Sequence, residues 1–425
     1  MAKFYNISEI LCALSYALDL ADPALSNHHL RVCYIATELA KHLGLRKNHL
    51  EKVFVGALLH DIGFLSSKER LEALEFENFS SDACFPHCWL GYNLLKNIPY
   101  LEDIAEIVLN HHKSFEQNGK DENVSEPYII HVADRIDALI VAAYFKSKTK
   151  GDSILKYTHH IVDKLQEKKS HFHPYLIESF KDLSARESFW LDLVSPELFY
   201  IIKTQNDFIA SFADLAEFEK IAGILSKIID YRTPFTVVHS SGVTAISTHI
   251  AELIGFSEEE TLMIKIAGLL HDIGKIVVPT EILNKPGSLT PDETAIIKTH
   301  TYYTYKILNR IQGIDPIHIW AAFHHERLNG KGYPFKKRGN EIPLGARIVA
   351  IADVLSAITE DRPYRKGMSE EMAKKVMEDM VKSGALDKDI YGLVLANFDD
   401  LSQKRKMAQE IASREYLSIR KRSSC

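Results

Sequence analysis

Leu269-Leu270-His271-Asp272-Ile273-Gly274-Lys275 ends an apolar run with two side chains that bind first-row metals well. A buried carboxylate without a counter-charge costs several kcal/mol, so Asp272 calls for a cation. Alone, a His-Asp step is equally a hydrogen-bonded pair or a helix cap. Here it is one of a set: His239, His271, Asp272, His300, His324, His325 and Asp353. Five imidazoles and two carboxylates are too many for one tetrahedral zinc ion. They suit two octahedral ions bridged by Asp272, and the mixture of nitrogen and oxygen donors favours iron or manganese.

The same order occurs earlier in the chain as His28, His60, Asp61, His87, His111, His112 and Asp134. His28 precedes His60 by 32 residues, and His239 precedes His271 by the same 32. Gly56-Ala57-Leu58-Leu59-His60-Asp61-Ile62-Gly63 repeats as Ala267-Gly268-Leu269-Leu270-His271-Asp272-Ile273-Gly274. His87 pairs with His300, and His111-His112 with His324-His325, each at an offset of 213. The chain is read as a duplicated unit of about 190 residues rather than a solenoid of short repeats.

Helical periodicity dominates and alternating β-branched runs are few, so the predicted class is all-α. The expected arrangement is two tandem helical bundles joined by a helical linker, with boundaries at 1–195, 196–220 and 221–425. Ser195-Pro196 supplies the break, Pro being suited to open a helix. At 46% apolar and 25% charged, the 425 residues have the composition of ordinary globular domains. A net charge of -6 argues against a DNA or RNA polymer as partner. No signal-peptide pattern and no bilayer-length apolar run are found, so no membrane is expected. Five Cys without framework spacing fit a reducing, cytoplasmic setting. Cys84 and Cys88 flank His87 at helical spacing, which suggests zinc, but with no fourth partner nearby they are read as core thiols, and the basic Lys404-Arg405-Lys406 and Arg420-Lys421-Arg422 are read as solvated helix-end charge.

With the His and Asp set in place, the chain resembles the HD metal-dependent phosphohydrolase superfamily. His324-His325-Glu326-Arg327-Leu328-Asn329-Gly330-Lys331-Gly332-Tyr333-Pro334 resembles the signature of its HD-GYP branch. Leu344-Gly345-Ala346-Arg347 and Asp361-Arg362-Pro363-Tyr364-Arg365 resemble it too. The likeness is close from about Tyr231 to Met368; from about Ala21 to Asp137 only the superfamily pattern is present. It implies HD-type bundles and a metal centre that opens a cyclic dinucleotide to the linear 5′-phosphorylated dinucleotide, with further hydrolysis left open. It implies that the seven residues of the second unit are metal ligands, with Lys275, Arg362 and Arg365 as cations for phosphate. Asp272 and Lys275 are the expected catalytic pair. Metals ~3.5–4 Å apart stabilise both attacking and leaving oxygens of an in-line displacement, and a guanidinium takes phosphate bidentately. Gly332 and Pro334 shape a loop that brings backbone close to a ligand, and Tyr333 offers a face for a purine.

Some positions depart from the family pattern. Members with a third metal carry Glu four residues before the first His, where this chain has Phe235, so two ions are expected. Thr301 and Thr304 replace the usual Pro and Gly after the third His, and Ser356 stands where Asp is common. In the first unit Phe64 matches Lys275, no Gly-Tyr-Pro follows His112, and Ile140-Val141-Ala142-Ala143 offers nothing for Arg362. That unit keeps donors for a metal pair, its occupancy left open, but lacks the groups that recognise this substrate, and is expected in a regulatory or dimerising role or as a phosphatase for the linear product. Cyclic di-GMP and 3′3′-cyclic GMP-AMP stay open as substrates, as does homodimerisation. The alternatives are another HD-superfamily nucleotide phosphohydrolase and a catalytically dead sensor of the same ligand.

Overall fold

Each His-Asp step follows an apolar helix, and each helix is packed on the one that begins with the first His of its set. In the first unit these are Lys47–Leu59 and His28–His42; in the second, Glu258–Leu270 and His239–Ile254. This computed structural model describes residues 4–20, 26–64, 86–113, 115, 124–147, 152–205, 212–232, 237–361 and 366–422. The only strands among them are Tyr5–Asn6 and Phe212–Ala213, two residues each, so the all-α expectation holds. No described helix is long and apolar enough to cross a membrane.

The chain divides into two compact units, one of Leu18–Ser211 and one built on Phe212–Arg422. In the first, His28–His42 packs on Lys47–Leu59 and Glu126–Ile140, while Glu102–Asn110 packs on Pro86–Leu95 and Lys47–Leu59. In the second, His239–Ile254 is central, packing on Glu258–Leu270, Leu344–Thr359 and Phe398–Arg422. Val243, Ile246, Ile250 and Ala251 are fully buried along it at helical spacing, which drives that packing. Capping boxes start the neighbouring helices: Ser257 with Glu260, and Thr290 with Glu293.

Two features differ from the expected boundaries. Residues 4–17 pack with the second unit, not the first. Tyr5–Asn6 pairs antiparallel with Phe212–Ala213, the Tyr5 and Phe218 rings lie 5.0 Å apart, and Glu9 Oε2 accepts from the Gln312 amide at 2.8 Å. The connection is helical but in pieces, Leu198–Gln205 and then Leu215–Tyr231. Asp214 stops any continuous helix. Its backbone is extended, and its side chain accepts from the Glu217 amide while Glu217 answers at the Asp214 amide.

The turn after each His-Asp step fixes the third His. A Cβ on Gly274 would lie 1.9 Å from the His300 carbonyl oxygen and 2.6 Å from the Thr304 nitrogen; one on Gly63 would lie 2.0 Å from the His87 carbonyl oxygen. Only glycine lets these backbones meet so closely. Thr304 Oγ1 tightens the contact, donating to the His271 carbonyl at 3.0 Å and accepting from the Gly274 amide at 3.1 Å. Gly274→Ala therefore forces the Pro291–Leu308 helix outward, costing ~1–3 kcal/mol as overpacking does. Thermal melts and metal analysis should show a lower midpoint and lost metal; a variant equal to wild type in both would refute this role for the contact.

Candidate metal centre

In the second unit all seven predicted ligands converge. His239 opens its helix, His271 caps Glu258–Leu270, His300 lies in Pro291–Leu308, His324 and His325 follow Ile317–Ala322, and Asp353 lies in Leu344–Thr359. Asp272 is buried among them, and its two oxygens face different imidazoles. Oδ2 lies 3.1 Å from His271 Nε2 and 3.8 Å from His239 Nε2; Oδ1 lies 3.4 Å from His300 Nε2 and 3.9 Å from His324 Nε2. Asp353 divides likewise, with Oδ1 at 3.2 Å from His239 Nε2 and Oδ2 at 3.8 Å from His325 Nδ1. The ligand atoms fall into overlapping groups, His239–His271–Asp353, His271–Asp272–His324 and His300–His324–His325, each within 4.8 Å.

These imidazoles are set to accept a metal. His271, His300 and His324 each donate Nδ1–H to the carbonyl three residues before, at 2.6–2.7 Å, which leaves Nε2 as the inward lone pair. Nε2 of His271 is buried and has no hydrogen-bond partner among the described residues. Burial holds His300 down to about 4 and His324 to about 3, so both stay neutral. Burial also disfavours a charged Asp272, but His271 and Lys275 outweigh it and hold the carboxyl well below the usual range. His239 is the exception. Burial opposes its charge, but Asp353 and Glu360 raise it to about 10, marking the strongly anionic side of the centre.

Lys275 lies at the edge of the centre, its Nζ 2.5 Å from Asp272 Oδ2. Burial works against its ammonium and Asp272 more than restores it, raising its pKa. The Gly-Tyr-Pro loop folds back on the ligands. The Tyr333 amide donates to the His325 carbonyl at 3.2 Å, and the two rings lie 4.9 Å apart. A Cβ on Gly332 would meet the Arg327 nitrogen at 2.4 Å, so the sequence requires glycine there. Arg362 and Arg365 lie outside the described residues, as do Phe235 and Cys84.

The first unit also gathers its set. Asp61 Oδ1 lies 3.4 Å from His60, 3.7 Å from His87 and 3.8 Å from His111, while its Oδ2 lies 3.6 Å from His28. His28 Nε2 lies 3.7 Å from Asp134 Oδ1, and His112 Nε2 lies 3.1 Å from His87 Nε2. Phe64, in the place of Lys275, stacks on the His87 ring at 3.8 Å. Cys88 is buried, as a core thiol should be, but its Sγ lies 3.4 Å from His87 Nε2 and groups with His111 and His112.

Comparison with known proteins agrees with both halves. An HD-domain family model matches residues 223–390, and a second HD-domain model matches 25–139. Over 403 residues the chain is 30% identical to 3′3′-cGAMP-specific phosphodiesterase 1 of Vibrio cholerae, covering 92% of each. The chain belongs to the HD-GYP cyclic-dinucleotide phosphodiesterases. A cyclic di-GMP phosphodiesterase of Thermotoga maritima is 38% identical over 195 residues, which is 45% of this chain and 52% of that one. A solved cyclic GMP-AMP phosphodiesterase of V. cholerae shares the fold, with a TM-score of 0.64 at 23% identity over 93% of this chain and 98% of that one.

Two residues that position this phosphodiesterase's ligands escaped the sequence reading. Glu360 Oε2 lies 3.0 Å from His239 Nδ1. In the first unit Asp137 takes the equivalent His28 Nδ1 at 2.7 Å; Ser356 occupies that place in the second, and Glu360 takes over one turn later. Its signal was its spacing, seven residues beyond Asp353 and so on the same helical face. Glu326 is buried and accepts from the amides of Phe335 at 2.6 Å and Lys337 at 3.0 Å, tying the chain just after the Gly-Tyr-Pro loop back to the residue before it. Glu360→Ala should weaken metal binding roughly 10- to 100-fold, as loss of such outer partners does. Competition with a chelator of known affinity measures it, and unaltered retention would remove Glu360 from this role.

Proposed function

We propose that the second unit cleaves a phosphodiester of 3′3′-cyclic GMP-AMP, giving the linear 5′-phosphorylated dinucleotide, with His239, His271, Asp272, His300, His324, His325 and Asp353 holding two iron or manganese ions. The carrying observation is Asp272, one buried carboxylate whose two oxygens face two sets of imidazoles. Its nitrogen-rich, oxygen-bridged donor set suits iron or manganese. The mixed adenine–guanine substrate is favoured because a relative named for it is matched along 92% of both chains. Cyclic di-GMP is the second reading, favoured by the T. maritima relative.

When bound, such ions supply Lewis-acid stabilisation to the attacking and leaving oxygens. The protein's own groups do the rest. The Lys275 ammonium meets charge that builds on the phosphoryl oxygens. Tyr333 offers its ring face to a base beside His325, and Gly332 lets backbone come close. By the family motif, Arg362 and Arg365 hold the second phosphate. The first unit, without these groups, serves regulation or dimerisation.

Anaerobic purification with metal analysis, followed by turnover of cyclic GMP-AMP, cyclic di-GMP and cyclic di-AMP side by side, tests the reading. About two iron or manganese ions in this unit are expected, with cyclic GMP-AMP consumed fastest; preference for another ring would overturn the substrate assignment. Lys275→Ala and Arg362→Ala should each keep metal and fold but lower kcat/KM roughly 10- to 150-fold, the loss of a charged hydrogen bond. An unchanged kcat/KM would make them solvent-facing charges. Asp272→Ala should abolish ring opening, whereas Asp61→Ala should spare it. If Asp61→Ala alone stopped hydrolysis with the second centre intact, the division between the units would be wrong.

A further inference from the structure

The two units share a ligand order but not a ligand chemistry. Cys88 stands where the second unit has Thr301, which is buried and donates to the Lys298 carbonyl at 3.2 Å. One atom each from His87, Cys88, His111 and His112 lies within 4.8 Å of the others. Zinc–nitrogen bonds of ~2.05 Å and zinc–sulfur bonds of ~2.3 Å give tetrahedral edges of about 3.3 Å between nitrogens and about 3.6 Å from nitrogen to sulfur. Two edges observed here are 3.1 Å, from His112 Nε2 to His87 Nε2, and 3.4 Å, from His87 Nε2 to Cys88 Sγ. Nε2 of His111 is fully buried and has no hydrogen-bond partner among the described residues, its Nδ1 donating to the Val108 carbonyl at 2.7 Å.

The other half of the first-unit site is unsuited to a second dication. His28, His60 and Asp134 form it. Buried Arg135 places Nη2 2.5 Å from Asp134 Oδ2, and Arg31 holds Asp137, the partner of His28, at 2.5 and 3.0 Å. In the second unit Val354 stands for Arg135 and Gly242 for Arg31. Two guanidinium charges already neutralise Asp134 and Asp137, two of the carboxylates that would draw an ion there, and they repel one that arrives. Phe64 closes the remaining side, flat against His87.

We propose that the first unit holds a single thiolate-bound zinc ion on His87, Cys88, His111 and His112, unlike the oxygen-bridged pair of the second unit. The Cys88 thiol gives up its proton on binding, and the soft thiolate with three imidazoles selects zinc over manganese. A closed four-ligand site of this kind stabilises structure and leaves no position for substrate. This inference concerns the first unit and stands whether or not the catalytic reading of the second does.

The full chain, grown with zinc and iron and purified anaerobically, is analysed for both metals, and its cobalt-substituted form is examined by absorption. We expect about one zinc per chain and a thiolate-to-cobalt charge-transfer band, both lost in Cys88→Ser. Should Cys88→Ser fail to fold by circular dichroism, zinc-edge X-ray absorption of the wild type decides, with a sulfur neighbour at about 2.3 Å expected. A wild type with only nitrogen and oxygen around zinc, or a Cys88→Ser protein with the zinc and the band intact, would overturn the proposal. So would two ions in the first unit.

Discussion

A carboxylate kept ionised inside a helical bundle is the constraint on which the second unit depends. Removing such a group from water costs several kcal/mol, and only nearby positive charge recovers it. Asp272 is placed so that charge can come from both sides, imidazoles on each oxygen and Lys275 at the rim. Much else in the unit serves that arrangement. The helix of His271 must stop where it does, the next turn must be glycine, and the helix carrying His300 must lie against it without a side chain between. Burial keeps His300 and His324 neutral, and these two and His271 are aimed by their own backbone carbonyls, so the order of the centre is built before any ion arrives.

The first unit shows how little of that scaffold must change for its chemistry to change. Its glycine contact and its His-Asp step are retained. Among the differences are charge and softness at four positions. Arg31 and Arg135 enter beside the carboxylates, Cys88 enters beside the third His, and Phe64 stands where the second unit has Lys275. The packing of the first-His helix on the His-Asp helix is kept in both units, so one duplicated frame can carry two different donor sets.

The convergence of fourteen His and Asp positions could be read from the chain because each lies at a fixed distance from a motif and the distances repeat. Residues that act across the fold were harder to see. Glu360 was hidden because the expected acidic residue at 356 was missing, and its substitute lies beyond the helix end, at the cap. Cys88 was set aside as a zinc ligand for want of a fourth partner nearby in the sequence, and the partners that the fold supplies, His111 and His112, lie more than twenty residues away. The break at Asp214 could have been read, since Asp214 and Glu217 form an ordinary capping box.

The strand Tyr5–Asn6 belongs to the second unit although nearly two hundred residues of the first lie between it and Phe212–Ala213. During synthesis the opening residues must therefore wait, with Tyr5 uncovered, until the ribosome has made their partner. The two halves of the duplicated gene are consequently not interchangeable cassettes. A cut at the midpoint would part the second bundle from the strand that completes its Phe212–Ala213 edge.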